Sequence, residues 1–191
     1  MLNSRGCVAV LYLALGATSA AAQDGRACEA AFVAREAGNH PLAIERIGAC
    51  IEIEPAVETR KSLLFSRGIM HAQSGELPAA VEDFGAAIRL DPEWAQAYYY
   101  RGHAFMHLGV FVDAAKDFTE ALRIAPDNAD AVFMRGAAAY ELGAYDQAIA
   151  DYTAALRLNP DDRDAYFLRS KAYEALGDAD RAAADRAAAG K

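Results

Sequence analysis

Long hydrophobic runs are scarce in this sequence. One uncharged apolar stretch, from Gly6 to Ala17, follows Arg5, and it is shorter than the roughly 20 residues a helix needs to cross a bilayer. No longer apolar segment comes after it, so we expect no stable membrane insertion of the mature chain. Basic residues are outnumbered, with 19 Lys and Arg against 27 Asp and Glu and a formal net charge of −8. This balance disfavours nucleic acid and anionic membrane and favours a basic partner. It is also the surface that keeps an ordinary protein soluble. Enzyme signatures are missing: there is no nucleophile elbow, no phosphate-cradling glycine loop and no cysteine-histidine zinc pattern. We expect no catalysis, no cofactor and no resident metal.

What is present starts with a leader. Arg5, the apolar run and the small residues at Ala20 and Ala22 make residues 1–22 a signal peptide, with cleavage expected after Ala22. An uncleaved anchor is the competing reading of the same run. Cys7 stands near the start of the run, where a lipoprotein cysteine would follow it, so it is expected to leave with the leader. Cys28 and Cys50 remain, and an even pair in an exported chain is a candidate disulfide. The expected location is the periplasm or the secreted space.

The rest of the chain repeats. Arg67-Gly68, Arg101-Gly102 and Arg135-Gly136 recur every 34 residues, with Arg169-Ser170 at the next step, and Pro92, Pro126 and Pro160 keep the same interval. A fixed period of this length marks stacked supersecondary units. Residues 95–128 and 129–162 carry Gly102, Ala114, Ala121 and Pro126, and Gly136, Ala148, Ala155 and Pro160, at positions 8, 20, 27 and 32 of the unit. They closely resemble tetratricopeptide repeats, in which a helix A, a tight turn and an antiparallel helix B carry small residues at 8, 20 and 27 and proline at 32. Residues 61–94 fit through Gly68, Ala80, Ala87 and Pro92. Residues 163–191 form a truncated unit and polar C-terminal cap, with Ser170, Ala182 and Ala189. Residues 24–57 fit as a degenerate first unit through Ala31, Ala43, Cys50 and Pro55, followed by Glu58-Thr59-Arg60 as an insertion. The implied fold is all-α, a right-handed solenoid of stacked helical hairpins.

The physical reasons stand beside the resemblance. Small residues at 8, 20 and 27 let two helices approach closely, and Phe84, Phe118 and Tyr152 at position 24 fill the neighbouring volume. Gly75, Gly109, Gly143 and Gly177 at position 15 end helix A. Proline stops helix B. Arg at position 7 and Asp at position 23 recur together as Arg67 with Asp83, Arg101 with Asp117, Arg135 with Asp151 and Arg169 with Asp185, and are expected to pair across each hairpin. Were these pairs partly exposed, each would add at most about 1 kcal/mol. In the repeat register Cys28 takes position 5 and Cys50 position 27, which face each other across the hairpin, so a Cys28–Cys50 bridge is expected. Scattered carboxylates, Glu82-Asp83 and Asp161-Asp162 among them, read as solvated faces and helix starts.

Function in the family runs through the surface of helices A, lined by positions 2, 5, 9, 12 and 13. Carried over, it gives Phe65, Tyr99, Phe133 and Phe167 at position 5, flanked by His103, Met106, His107, Tyr140 and Lys171. Three helix spacings of about 10 Å would span roughly 30 Å, enough for an extended peptide of about nine residues or one partner helix. Asp130, Glu141, Asp164 and Glu174 edge the later half, which suits a partner with apolar anchors and some Lys or Arg. Carboxylate-clamp residues are absent, since position 6 holds Ser66, Tyr100, Met134 and Leu168. His103 and His107 stand at i and i+4, a spacing that can hold zinc given further ligands, but no strong third ligand is evident and a polar surface is the expected role. The resemblance implies a non-enzymatic scaffold for a protein or peptide partner. The alternative is a self-associating component of a cell-envelope complex, and the position-5 rings could instead pack between neighbouring helices A.

Overall fold

The computed structural model describes residues 39–54 and 56–190. Every regular element among them is an α-helix, and none is long and apolar enough to cross a membrane. The chain divides into two compact bodies, one ending at Leu90 and one starting at Asp91.

The first body holds α1 (His40–Ile53), α2 (Val57–Gln73) and α3 (Leu77–Leu90). Asn39 caps α1 by accepting from the Leu42 amide at 3.3 Å. Its far end is closed by Arg60, whose Nε donates to the Glu54 carbonyl at 2.9 Å, a cation on the orphaned carbonyls of a helix C-terminus. Glu58, Thr59 and Arg60, expected as an insertion between units, are the first turn of α2 and lengthen it to 17 residues. Ala43, Ile47 and Met70 form the apolar contact between α1 and α2. In the repeat register α1 is the second helix of the first unit. Its expected partner, with Cys28 and the leader at 1–22, lies outside the described residues, while Cys50 is fully buried.

The second body is built from three hairpins: α4 (Ala95–His107) with α5 (Phe111–Ile124), α6 (Ala129–Glu141) with α7 (Tyr145–Leu158), and α8 (Arg163–Ala175) with α9 (Ala179–Ala189). Each packs on the next through α5 against α6 and α7 against α8. Asn128, Asp162 and Asp178 cap α6, α8 and α9, each accepting a backbone amide at 3.0 Å. The position-15 glycines turn the chain with φ of 74–79°, a backbone region that disfavours any side chain.

The interior of each hairpin follows one rule. Ala80, Ala114, Ala148 and Ala182 are fully buried, as are the rings of Phe84, Phe118 and Tyr152. A Cβ on Gly68, Gly102 or Gly136 would stand 2.8, 3.0 or 3.1 Å from the ring of its own hairpin, closer than ordinary contact. The small residue and the ring are therefore one packing unit. The last hairpin departs from it at both places together: Arg186 replaces the ring, and the space admits Ser170, fully buried with its hydroxyl donating to the Phe167 carbonyl at 2.7 Å.

Arg67, Arg101, Arg135 and Arg169 each grip the Asp of their own hairpin, Nε to Oδ2 and Nη2 to Oδ1, at 2.6–3.0 Å. The pairing within each hairpin is as expected, but its depth is not. The four Asp side chains are only 4–8 % exposed, so Asp83 is no solvated surface carboxylate and these are not weak surface pairs. Two-pronged charge-assisted bonds to a buried carboxylate are strong, and removing the partly exposed Arg strands that carboxylate. Burial raises the Asp117 carboxyl above the ordinary range, against the opposing pull of Arg101.

Tyr152 is the irregular member of the ring row. Phe84 and Phe118 hold the same place without a hydroxyl, whereas the buried Tyr152 hydroxyl has no hydrogen-bond partner among the described residues. Burial first, then the neighbouring Tyr140, Glu141 and Asp151, push its ionisation upward. Tyr152→Phe is expected to raise stability by about 1 kcal/mol, because an unsatisfied buried donor costs about that much or more. Urea unfolding checks this, and a loss of stability would mean the hydroxyl has a partner.

Candidate partner-binding surface

Helices A of the second body touch one another, α4 with α6 and α6 with α8, so their outward faces make one surface. Tyr99 leans on Phe118 with ring centres 5.9 Å apart, and Phe133 on Tyr152 at 5.6 Å. Both position-5 rings are half-buried, seated on the buried ring beneath with the rest facing out. Phe167 has no ring beneath it among the described residues, because this hairpin carries Arg186 at the ring's position with its side chain turned to Glu174, and it stands 47 % exposed. The Lys171 ammonium lies 5.4 Å from its ring centre, within cation–π range.

The flanking residues divide. His103 lies beside both Tyr99 and His107, with ring centres 5.6 Å from each and planes tilted by 58° and 39°, and His107 is exposed. Burial, then the His107 charge, lowers the His103 pKa; burial, then Asp130 and Tyr100, raises that of Tyr99. Met106 turns inward beside Phe118 and Ala138 with Met134. Tyr140 packs edge-on to Tyr145 at 5.4 Å, against the cluster of Ala139, Ala148 and Tyr152. Met106 and Tyr140 thus serve packing as much as surface. Phe65 belongs to the first body, half-buried with its ring 5.6 Å from Phe84.

Two features lay outside the sequence expectation. Tyr100, 39 % exposed, meets Tyr99 edge to face at 5.5 Å and widens the aromatic surface of α4. Leu108, Leu142 and Leu176 form an exposed row at the hairpin tips. Their 34-residue spacing, already legible in the sequence, was the signal for them. Asp130, Asp164 and Glu141 are exposed, while Glu174 is held by Arg186 and contributes less free charge than its sequence position suggests. Among the described residues no three His, Cys, Asp or Glu side chains gather as a metal site.

The comparisons agree with this geometry. A family profile described as tetratricopeptide repeat matches residues 65–129, and one described as TPR repeat matches residues 136–177. Together they span more than half of the sequence. No curated protein matches significantly. Solved structures do: a crystal structure of MamA protein is similar at 23% identity and TM-score 0.81, covering 87% of this chain and 89% of that one. A second crystal structure of MamA shares 24% identity at TM-score 0.79, over 83% and 91%. MamA 41-end from Desulfovibrio magneticus RS-1 shares 18% at TM-score 0.80, over 87% and 92%. At these identities the likeness is one of fold. With the 34-residue period, the buried small-residue and ring pairs and both profile matches in agreement, the chain belongs to the tetratricopeptide-repeat family.

Proposed function

We propose that this chain is a non-enzymatic protein-interaction scaffold working outside the cytoplasm, and that it holds an extended peptide or a helix against α4, α6 and α8. The observation that carries the reading is the contrast between two aromatic rows. The rings on α5 and α7, Phe118 and Tyr152, are fully buried, whereas Tyr99, Phe133 and Phe167 keep solvent-facing surface in one row. A row of apolar rings with a few polar handles, repeated at helix spacing, suits side-chain anchors of a linear partner. From Tyr99 to Phe167 the row crosses two helix spacings, about 20 Å, or about six extended residues. Exposed Asp130, Glu141 and Asp164 favour Lys or Arg among them.

Phe167 makes the cleanest test because it supports no ring beneath. A photoreactive side chain placed at residue 167 should trap a partner that one placed at Leu158, also exposed, does not. Phe167→Ala should weaken that partner's binding by about tenfold, the worth of one good apolar anchor, while leaving the melting temperature nearly unchanged. Equal trapping at both places, or unchanged affinity, would sink the groove reading.

Export carries its own consequence. The leader at 1–22 and the Cys28 and Cys50 register support an oxidised bridge, which would contribute about 3 kcal/mol for a loop of this size. Titration of the denatured, unreduced chain should find no free thiol, and the mature amino terminus should be Gln23. Two reactive thiols, or an intact leader on the exported chain, would overturn this part.

A further inference from the structure

His103 and His107 lie one helical turn apart on α4 with ring centres 5.6 Å apart and planes tilted by 39°. Two imidazoles bound to one tetrahedral metal at about 2.1 Å bring their ring centres to about 5 Å, so a small side-chain rotation closes the gap. Neither imidazole has a hydrogen-bond or ion-pair partner among the described residues. His71 differs, its Nδ1 being held by Glu76 at 2.5 Å. The acidic chain, at −8, draws cations toward its surface.

We propose that His103 and His107 form a two-imidazole site on α4 for a borderline divalent metal of the zinc, nickel or copper(II) class. No third His, Cys, Asp or Glu joins them among the described residues. The remaining coordination positions belong to water, and the site is open and exchangeable, unlike a closed structural zinc site. This inference stands apart from peptide docking, since the metal alone tests it.

The probe is Zn(II) added to the purified chain, followed by equilibrium dialysis and thermal melting. The wild type should take up one equivalent and melt higher with zinc than without, because a ligand of the folded state stabilises it. His103→Gln and His107→Gln should each lose that equivalent and the thermal shift, while His40→Gln and His71→Gln keep both. His107 is exposed, so His107→Gln without metal should melt with the wild type and show that the loss is not unfolding. No uptake by the wild type, uptake undiminished in His107→Gln, or loss in His71→Gln would each overturn the site.

Discussion

Phe118→Ala should lower stability by about 3–5 kcal/mol, the cost of emptying a fully buried ring site that neighbours cannot refill. Urea unfolding checks the size, with hydrogen exchange across α4 and α5 reporting it locally if the array does not unfold as one unit. The same ring governs what its glycine tolerates. In the wild type, Gly102→Ala would push a Cβ to 3.0 Å from Phe118 and 3.2 Å from the Asp117 Cβ, an overpacking cost of about 1–3 kcal/mol that exceeds the ~1 kcal/mol gained in helix propensity. In the Phe118→Ala background the ring clash is gone, and Gly102→Ala should become stabilising by up to about 1 kcal/mol. A penalty of equal size in both backgrounds would show that Asp117, not the ring, sets the limit. The last hairpin already carries the relieved combination, Ser170 opposite Arg186.

Arg101→Met should cost about 3–5 kcal/mol, because it strands the Asp117 carboxylate in a site that water barely reaches. The loss should depend on pH with a definite sign. Burial already raises the Asp117 pKa in the folded chain, with Arg101 the chief group opposing it. A carboxyl whose folded pKa lies above its unfolded value favours the fold below the unfolded value, and that contribution is lost as pH climbs through the folded one. Removing Arg101 lifts the folded pKa further, so the deficit of Arg101→Met should be smallest near pH 4 and grow toward neutrality. Adding Asp117→Leu should recover much of the stability at pH 7, since an apolar pair of similar volume replaces buried charges at little net cost. A deficit that does not vary with pH would mean the damage comes from lost packing of the Arg101 side chain, whose guanidinium carbon lies 5.7 and 5.9 Å from the Tyr98 and Phe105 ring centres.

The period in the sequence reached a long way. It placed the hairpins, the left-handed glycines and the Arg and Asp partners, because a recurring residue at a fixed place in a unit reports which positions meet. It did not report how deep they lie. Asp83 read as a surface carboxylate and its pair as weakly stabilising, since burial is set by everything packed around a residue and not by its own position. The same gap hid the difference between Phe133 and Phe167. Both hold position 5, yet only the structure sets Phe133 on Tyr152 and leaves Phe167 unsupported where Arg186 stands. Glu58, Thr59 and Arg60 broke the period and read as an insertion. Good helix residues next to an existing helix start simply extend it, and α2 begins at Val57.

The Arg and Asp grips have a consequence for ancestry. Each joins residues 16 apart inside one hairpin, and none crosses a repeat boundary. A duplication or deletion of one whole 34-residue segment therefore leaves every buried carboxylate with its own cation, wherever the cut falls between hairpins. A change of any other length between an Arg and its Asp would pull donor from acceptor, whereas the three extra residues 58–60, which fall between units, leave the Arg67–Asp83 grip intact. The buried ion pair thus acts as a length filter on the gene within each hairpin, holding the 16-residue step fixed while the joints between units stay free to vary.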